Sequence, residues 1–272
     1  MIIRCLIFDN DRRYNAAVET AQVKDRCVRS ARHVAAGVNQ LLWPAVCVNC
    51  RTSISEDADG LCRQCWDELL ACAQGDYCRR CGRDASRFAL LDGGCAHCRD
   101  KAFAFDAIVR AGVYAESLQH MIVAFKNGRT ELDALLGRMA GAALEGGGFE
   151  RDMDLLVPVP LHWTRRVTRG YNQSLVLAKR IKPSGVKIST ELVRMRRTKM
   201  QPAMASDAAR RRNVAGAFAV RRGHRFAGSA VCLVDDIKTT GATLHECASV
   251  LKDAGARYVY ALVLAVAGQK TN

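Results

Sequence analysis

The sequence predicts an α/β protein: a parallel sheet flanked by helices, preceded by a small cysteine-rich metal module. Three observations predict it. From about residue 105 onward, apolar runs alternate with amphipathic helical patterns, as in a parallel sheet covered on both faces. Residues 47–98 hold four CxxC pairs. In 231–243, an apolar run leads through two adjacent carboxylates into a Thr/Gly/Ala loop and then a helical pattern.

Residues 1–40 read as an extension, patternless to about residue 30, with a short helix over 28–42 ended by Trp43-Pro44. The metal module takes 41–102 and the α/β domain 103–272. The expected strands are 107–114, 154–159, 186–192, 230–235 and 258–266. The expected helices are 117–125, 131–144, 172–181 and 243–254. Gly146-Gly-Gly148 reads as a flexible turn. No apolar stretch is long enough to cross a bilayer. Arg4, Asp9 and Asp11 interrupt the early apolar run that a signal peptide would need. A cytoplasmic globular protein without membrane insertion is therefore expected.

In that compartment, thirteen cysteines argue for metal ligation over disulfides. Cys47/Cys50, Cys62/Cys65, Cys78/Cys81 and Cys95/Cys98 supply eight thiolates, enough for two closed tetrahedral zinc sites. The repeated spacings CxxC-x11-CxxC and CxxC-x13-CxxC suggest two tandem ribbons with sequential pairing. Pairing the first with the third CxxC is the alternative. Metal would supply most of the module's folding energy. Loss of either ribbon is expected to leave the larger domain folded. His97 reads as a bystander. Cys5, Cys27, Cys72, Cys232 and Cys247 lack ligand spacing and read as small apolar fillers or surface thiols.

The net charge is +14, and residues 151–228 carry the whole excess, with 18 Lys+Arg against 4 Asp+Glu. That confinement implies a local anionic partner. Within it, Arg210, Arg211 and Arg212 are candidates for a nucleic-acid backbone. Aromatic residues are sparse there (Trp163, Tyr171, Phe218, Phe226), which weakens a base-stacking platform.

The 231–243 run carries the most specific chemistry. A loop at a helix N-terminus offers free N–H groups and Thr hydroxyls to a phosphate. Asp235 and Asp236, just before it, can accept hydrogen bonds from a ribose 2′,3′-diol. The ligand that fits this order is a 5′-phosphorylated ribose, its phosphate on Lys238, Thr239, Thr240, Gly241, Ala242 and Thr243. The run resembles the phosphoribosyl pyrophosphate (PRPP) signature of type I phosphoribosyltransferases. That resemblance implies their Rossmann-like fold and Mg²⁺ bound with PRPP. It assigns pyrophosphate to the loop after the 154–159 strand: Pro160, Leu161, Arg165, Arg166 and Arg169, with most weight on Arg165 and Arg169. Arginine forks suit that leaving group. His162 reads as a structural hydrogen-bonder. No residue is assigned as a catalytic acid or base.

Over about 40–266 the chain resembles the ComF family of competence and DNA-utilisation proteins. The features that carry this, in order, are the four CxxC pairs, Phe125-Lys126-x-Gly128, Val159-Pro160 with Arg169-Gly-Tyr-Asn-Gln173, Arg196-x-Thr198-x-x-Gln201 with Asn213 and Ala217-Phe218, and the PRPP run. Tyr171 stands for the usual Phe, Lys238 for a neutral residue, and Val266 where an Arg often closes the last strand. The Gln201–Asn213 spacing is slightly long. The resemblance implies a PRPP-binding phosphoribosyltransferase acting in DNA uptake, its acceptor unassigned, since no segment reads as a purine or pyrimidine pocket. The alternative is a non-catalytic single-stranded-DNA-binding competence factor working with other DNA-handling proteins.

Overall fold

The computed structural model describes residues 44–55, 60–91, 94–148, 153–181, 183–198 and 206–268. The 1–40 extension, the whole of the expected 28–42 helix, Cys5 and Cys27 lie outside them. The chain divides into two compact units, Met1–Cys62 and Arg63–Asn272.

In the first unit, Cys47 and Cys50 sit on a knuckle. The Cys47 N–H donates to the Thr52 carbonyl (2.8 Å) and the Arg51 N–H to the Cys47 carbonyl (2.9 Å). Arg51 takes a left-handed φ of 67° to make the turn.

The second unit opens with α1 (Arg63–Ala73) and a second knuckle, followed by a small hairpin of β1 (Leu90–Leu91) and β2 (Gly94–Cys95). Then come β3 (Ala107–Val113), α2 (Glu116–Lys126), α3 (Asp133–Gly147), β4 (Leu155–Pro158), α4 (Trp163–Arg169), α5 (Gln173–Ile181), β5 (Lys187–Ile188), β6 (Leu192–Arg194), α6 (Asp207–Val214), β7 (Phe218–Val220), β8 (Ala230–Lys238), α7 (Ala242–Asp253) and β9 (Tyr258–Val266). Five strands form one sheet in the order β3-β9-β8-β4-β5, and every pairing is parallel. The central strands β8 and β9 are covered on both faces. Val231 to Val234 and Ala261 to Val266 are essentially unexposed, which explains runs without polar alternation. Val157, Val231, Leu233, Ala261 and Val263 pack with Leu244, Cys247 and Leu251 of α7 and with Phe226. Cys72, Cys232 and Cys247 are buried, as small apolar fillers are. Among the described residues, no helix is long and apolar enough to cross a membrane.

Four segments differ from expectation. The single strand expected over 186–192 breaks in two. Glu191 N–H bonds to Ser189 Oγ (3.3 Å) and Ser189 Oγ to the Glu191 carboxylate (2.9 Å). Such local bonding competes with a strand ladder. Leu192 then starts β6, which pairs antiparallel with β7 in a separate sheet. The stretch after Pro160, expected as a loop, contains the two-turn helix α4. His162 Nδ1 caps its N-terminus and Gly170 ends it at φ 79°. Of the three glycines at 146–148, two belong to α3, and only Gly148, at φ 72°, leaves the helix. Helix α6 was not expected. Ser206 starts it by accepting from the Ala209 N–H at 3.1 Å.

Candidate functional site

The eight paired cysteines fall into two groups, Cys47–Cys50–Cys62–Cys65 and Cys78–Cys81–Cys95–Cys98, and the sulfurs of each lie within 4.8 Å of one another. Pairing is therefore sequential and not interleaved. A zinc tetrahedron with Zn–S near 2.3 Å has sulfur–sulfur edges of about 3.8 Å. The edges here are 3.6 Å for Cys50–Cys62, 3.7 Å for Cys78–Cys98, 3.6 Å for Cys81–Cys95 and 3.8 Å for Cys95–Cys98. Two four-cysteine sites thus fit two structural zinc ions, and elemental analysis of protein purified without chelator is expected to find two per chain. One ion with the remaining cysteines in disulfides would contradict this. His97 stays outside the second group, its Nε2 3.0 Å from Lys101 Nζ.

The second candidate site lies at the carboxyl ends of β4 and β8, where ligands of open parallel sheets bind. Paired register sets Pro158 beside Val234, and the Val159 N–H donates to the Val234 carbonyl at 2.9 Å. Asp235 and Asp236 follow on β8. Ser174 Oγ donates to Asp235 Oδ1 (3.1 Å), and so does the Asp236 N–H (3.0 Å). Lys126 Nζ is 3.1 Å from Asp236 Oδ2. Burial, reinforced by the Asp236 charge, pushes the Asp235 carboxyl up to about 7. The rim is held by segments far apart in sequence. Tyr171 O–H donates to the Phe125 carbonyl. Asn172 Nδ2 donates to the Val159 carbonyl (3.2 Å), while its Oδ1 accepts from the Ser174 N–H (3.1 Å). Lys126 and Ser174 were not assigned from sequence. Each sits inside or beside a short motif, but no spacing rule ties those motifs to Asp235.

The loop expected to take the 5′-phosphate runs from β8 into α7. Gly241, the residue before the helix, has φ 85°. A Cβ there would meet Lys238 Cε at 3.0 Å and Phe103 at 3.3 Å, so the conformation favours glycine and the space beside it is tight. Thr240 Oγ1 accepts from the Ala242 N–H at 3.3 Å. Lys238 is turned inward. It is 4% exposed, its ammonium lies 5.6 Å from the Phe103 ring centre, and burial pulls it down to about 8.

The three arginines after Pro160 divide by helical position. Arg165 and Arg169, one turn apart on α4, share a face. Arg165 Nη2 donates to the Thr198 carbonyl (3.0 Å) and Arg169 Nη1 to Gln173 Oε1 (3.4 Å). Arg166 is exposed and lines a cavity of about 400 Å³ with Pro160, Leu161, Trp163 and Arg221. His162 is buried and bonds Thr164 through Nδ1 (2.9 Å), a structural role. Arg210 divides from its neighbours in the same way: Arg211 and Arg212 are exposed, and Arg210 is half-buried.

Comparison with known proteins gives three findings. A double zinc ribbon domain matches residues 38–100. Competence protein F of Haemophilus influenzae is 28% identical over 219 residues, 77% of this chain and 91% of that protein. DNA utilization protein YhgH of Escherichia coli K12 is 28% identical over 226 residues, 80% of this chain and 96% of that protein. Among solved structures, a purine phosphoribosyltransferase from Pyrococcus horikoshii is similar over 50% of this chain and 85% of its own, with 14% identity and a TM-score of 0.30. The chain is therefore similar, over most of its length, to competence protein F and YhgH, and it carries a double zinc ribbon ahead of a parallel α/β sheet.

Proposed function

We propose that the chain binds PRPP at the carboxyl ends of β4 and β8 and acts in DNA uptake or utilisation. One observation carries the ligand reading. Two adjacent carboxylates, one hydrogen-bonded by Ser174 and one paired with Lys126, stand directly before a glycine-pinned loop at a helix N-terminus. Asp235 and Asp236 accept the ribose diol, 239–243 take the 5′-phosphate, and Arg165 and Arg169 face the pyrophosphate. The names of the relatives support the role in DNA handling.

Carboxylates beside a diol also suit Mg²⁺, which would screen the leaving pyrophosphate when bound. Asp235, held partly protonated near neutral pH by burial, is the group that gains most from a nearby cation. In the reaction, the C1–O bond breaks with its electron pair leaving on pyrophosphate. A nitrogen nucleophile forms the new bond to C1 and gives up a proton. Arg165 and Arg169 would stabilise the charge that develops on the leaving group. Calorimetric titration with PRPP in two buffers of different ionisation heat tests the role of Asp235. Binding near pH 6.5 is expected to release a fraction of a proton as this carboxyl ionises. Proton release no greater in the parent than in Asp235→Asn, which controls for the phosphates of PRPP itself, would remove Asp235 from the site.

A second reading, contact with single-stranded DNA, is favoured by exposed groups in the basic region. Trp163 is 68% exposed and shares its cavity with Arg166 and Arg221, while Arg211 and Arg212 project from α6. If these arginines meet phosphates, log affinity falls with log salt by about 0.7 per contact. Arg211→Ser with Arg212→Ser is then expected to flatten the slope by about 1.4, on the same scaling. An unchanged slope would leave both arginines as solvated surface.

A further inference from the structure

A cavity of about 330 Å³ is lined jointly by the second cysteine knuckle, the residues that follow β8 and β9, and α6. Its wall carries Arg83, Lys101, Lys238 and Arg210 against a single carboxylate, Asp207. Two of these cations are engaged. Lys101 Nζ is 3.4 Å from Asp207 and 3.0 Å from His97 Nε2. Arg83 Nη2 donates to the Gly268 carbonyl. The other two differ. Lys238 is almost wholly buried and has no carboxylate partner among the described residues; its ammonium faces the Phe103 ring, and the opposite charges that act on it are the Cys81 and Cys98 thiolates. Arg210 Nε is buried with no hydrogen-bond partner.

A buried cation without a counter-charge, or a buried N–H without an acceptor, is destabilising by kilocalories. Such a group in a native protein calls for an explanation, and a bound water or ion is one. Here a buried N–H without an acceptor and a buried ammonium that no carboxylate meets share the wall of one cavity, contributed by separate elements, and the Thr239 and Thr240 side of the phosphate loop lines the same space. The volume is at the lower end of small-ligand pockets. The Cys81 thiolate also reaches this wall. Together with Cys98 it is a rival counter-charge for Lys238, but neither is hydrogen-bonded to Arg210 Nε.

We propose that this cavity is a second anion site, in which Lys238 and Arg210 hold a phosphate group, free or carried by a small phosphomonoester. The site does not depend on the ribose diol at Asp235 and Asp236. Selenate-soaked crystals of the zinc-loaded full chain test it by anomalous scattering. The expected result is a peak within hydrogen-bonding distance of Lys238 Nζ and Arg210 Nε, retained in Asp235→Asn/Asp236→Asn and lost in Arg210→Gln. In solution, selenate affinity at this site is expected to fall about tenfold or more in Lys238→Met and in Arg210→Gln. Displacement of selenate by inorganic phosphate but not glycerol phosphate assigns the site to free phosphate, and the reverse to a phosphomonoester. A cavity empty of selenate in the wild type overturns the proposal. So does a Lys238→Met variant that loses zinc while Arg210→Gln binds selenate normally, because the zinc–thiolate group would then be the lysine's partner. A wild type that takes selenate in the cavity yet fails to bind PRPP upholds this site and sinks only the ribose reading.

Discussion

A chain carrying both Asp235→Asn and Asp236→Asn is expected to lose about two or more decades of Mg²⁺-dependent PRPP affinity. Hydrogen bonds to charged groups contribute roughly 1.5–3 kcal/mol each, and 1.4 kcal/mol is about tenfold. The fold is expected to survive. The amide that replaces the Asp235 carboxyl keeps an oxygen to accept from Ser174 Oγ and the residue 236 N–H. The two single variants separate the roles. The Asp235 carboxyl titrates near 7 in the fold against 3.8 in an ordinary aspartate, so the folded state holds its proton longer than the unfolded chain does. That mismatch costs nothing below pH 4, grows as pH rises from about 4 to 7, and is complete above it. Asp235→Asn is therefore expected to melt higher than the parent at pH 8 and no higher at pH 4. Asp236→Asn, which leaves Lys126 without its carboxylate, is expected to melt lower. Unchanged PRPP affinity in a folded double variant would refute the assignment.

Cys78→Ser is expected to destabilise the whole second unit by several kcal/mol, a large fraction of the 5–15 kcal/mol typical of a domain. Sequence alone suggests that a ribbon can unfold and leave the larger domain intact. The contacts of the second knuckle contradict that. A Cβ on Gly82 would lie 2.9 Å from Val266 and 3.5 Å from Ile108, so knuckle and sheet are in direct contact. The Ile108 N–H donates to the Arg79 carbonyl (2.8 Å). Most telling is Arg110, a buried cation on β3. It donates to the Gly82 carbonyl (2.8 Å), pairs with Asp84, and lies 4.8 Å from the Tyr77 ring centre. All three partners come from the knuckle. Unwinding it leaves a buried charge alone, which costs about 3–5 kcal/mol when the partner is also buried, and less here because Asp84 is half exposed. Cys47→Ser opens the first cysteine group, which includes Cys65 of α1, and is expected to lower the sheet's melting less than Cys78→Ser does. Thermal unfolding followed by Tyr and Trp fluorescence separates the cases. A Cys78→Ser protein whose sheet melts like the wild type would overturn this coupling.

Periodicity and local spacing made the five-stranded core and the cysteine groups legible, because both are properties of neighbouring residues. The apolar runs of β8 and β9 have no other comfortable place than a sheet interior. A CxxC pair closes on one ion whatever surrounds it. What the sequence did not reveal depends on distant partners. Helix α4 forms although its sequence, Trp-Thr-Arg-Arg-Val-Thr-Arg, has no apolar stripe; caps at His162 and Gly170 define it. The antiparallel β6–β7 pair takes Leu192 from a run that reads as one strand, since local bonding between Ser189 and Glu191 interrupts the ladder. At the ribose site, the carboxylates and the loop stand in one contiguous run and were readable. Lys126 and Ser174 were not, because they arrive from α2 and α5 only after the sheet has formed. The inward turn of Lys238 was equally hidden. Its place in the loop suggests a ligand contact, but its burial and the Phe103 ring define its surroundings.

The most direct test is calorimetric titration of the zinc-loaded full chain with PRPP, with and without Mg²⁺, followed by the same titration of the Asp235→Asn/Asp236→Asn variant. The expected result is saturable binding of one PRPP per chain that requires Mg²⁺ and disappears in the variant. A folded, zinc-loaded wild type that gives no PRPP binding with Mg²⁺ present would contradict it.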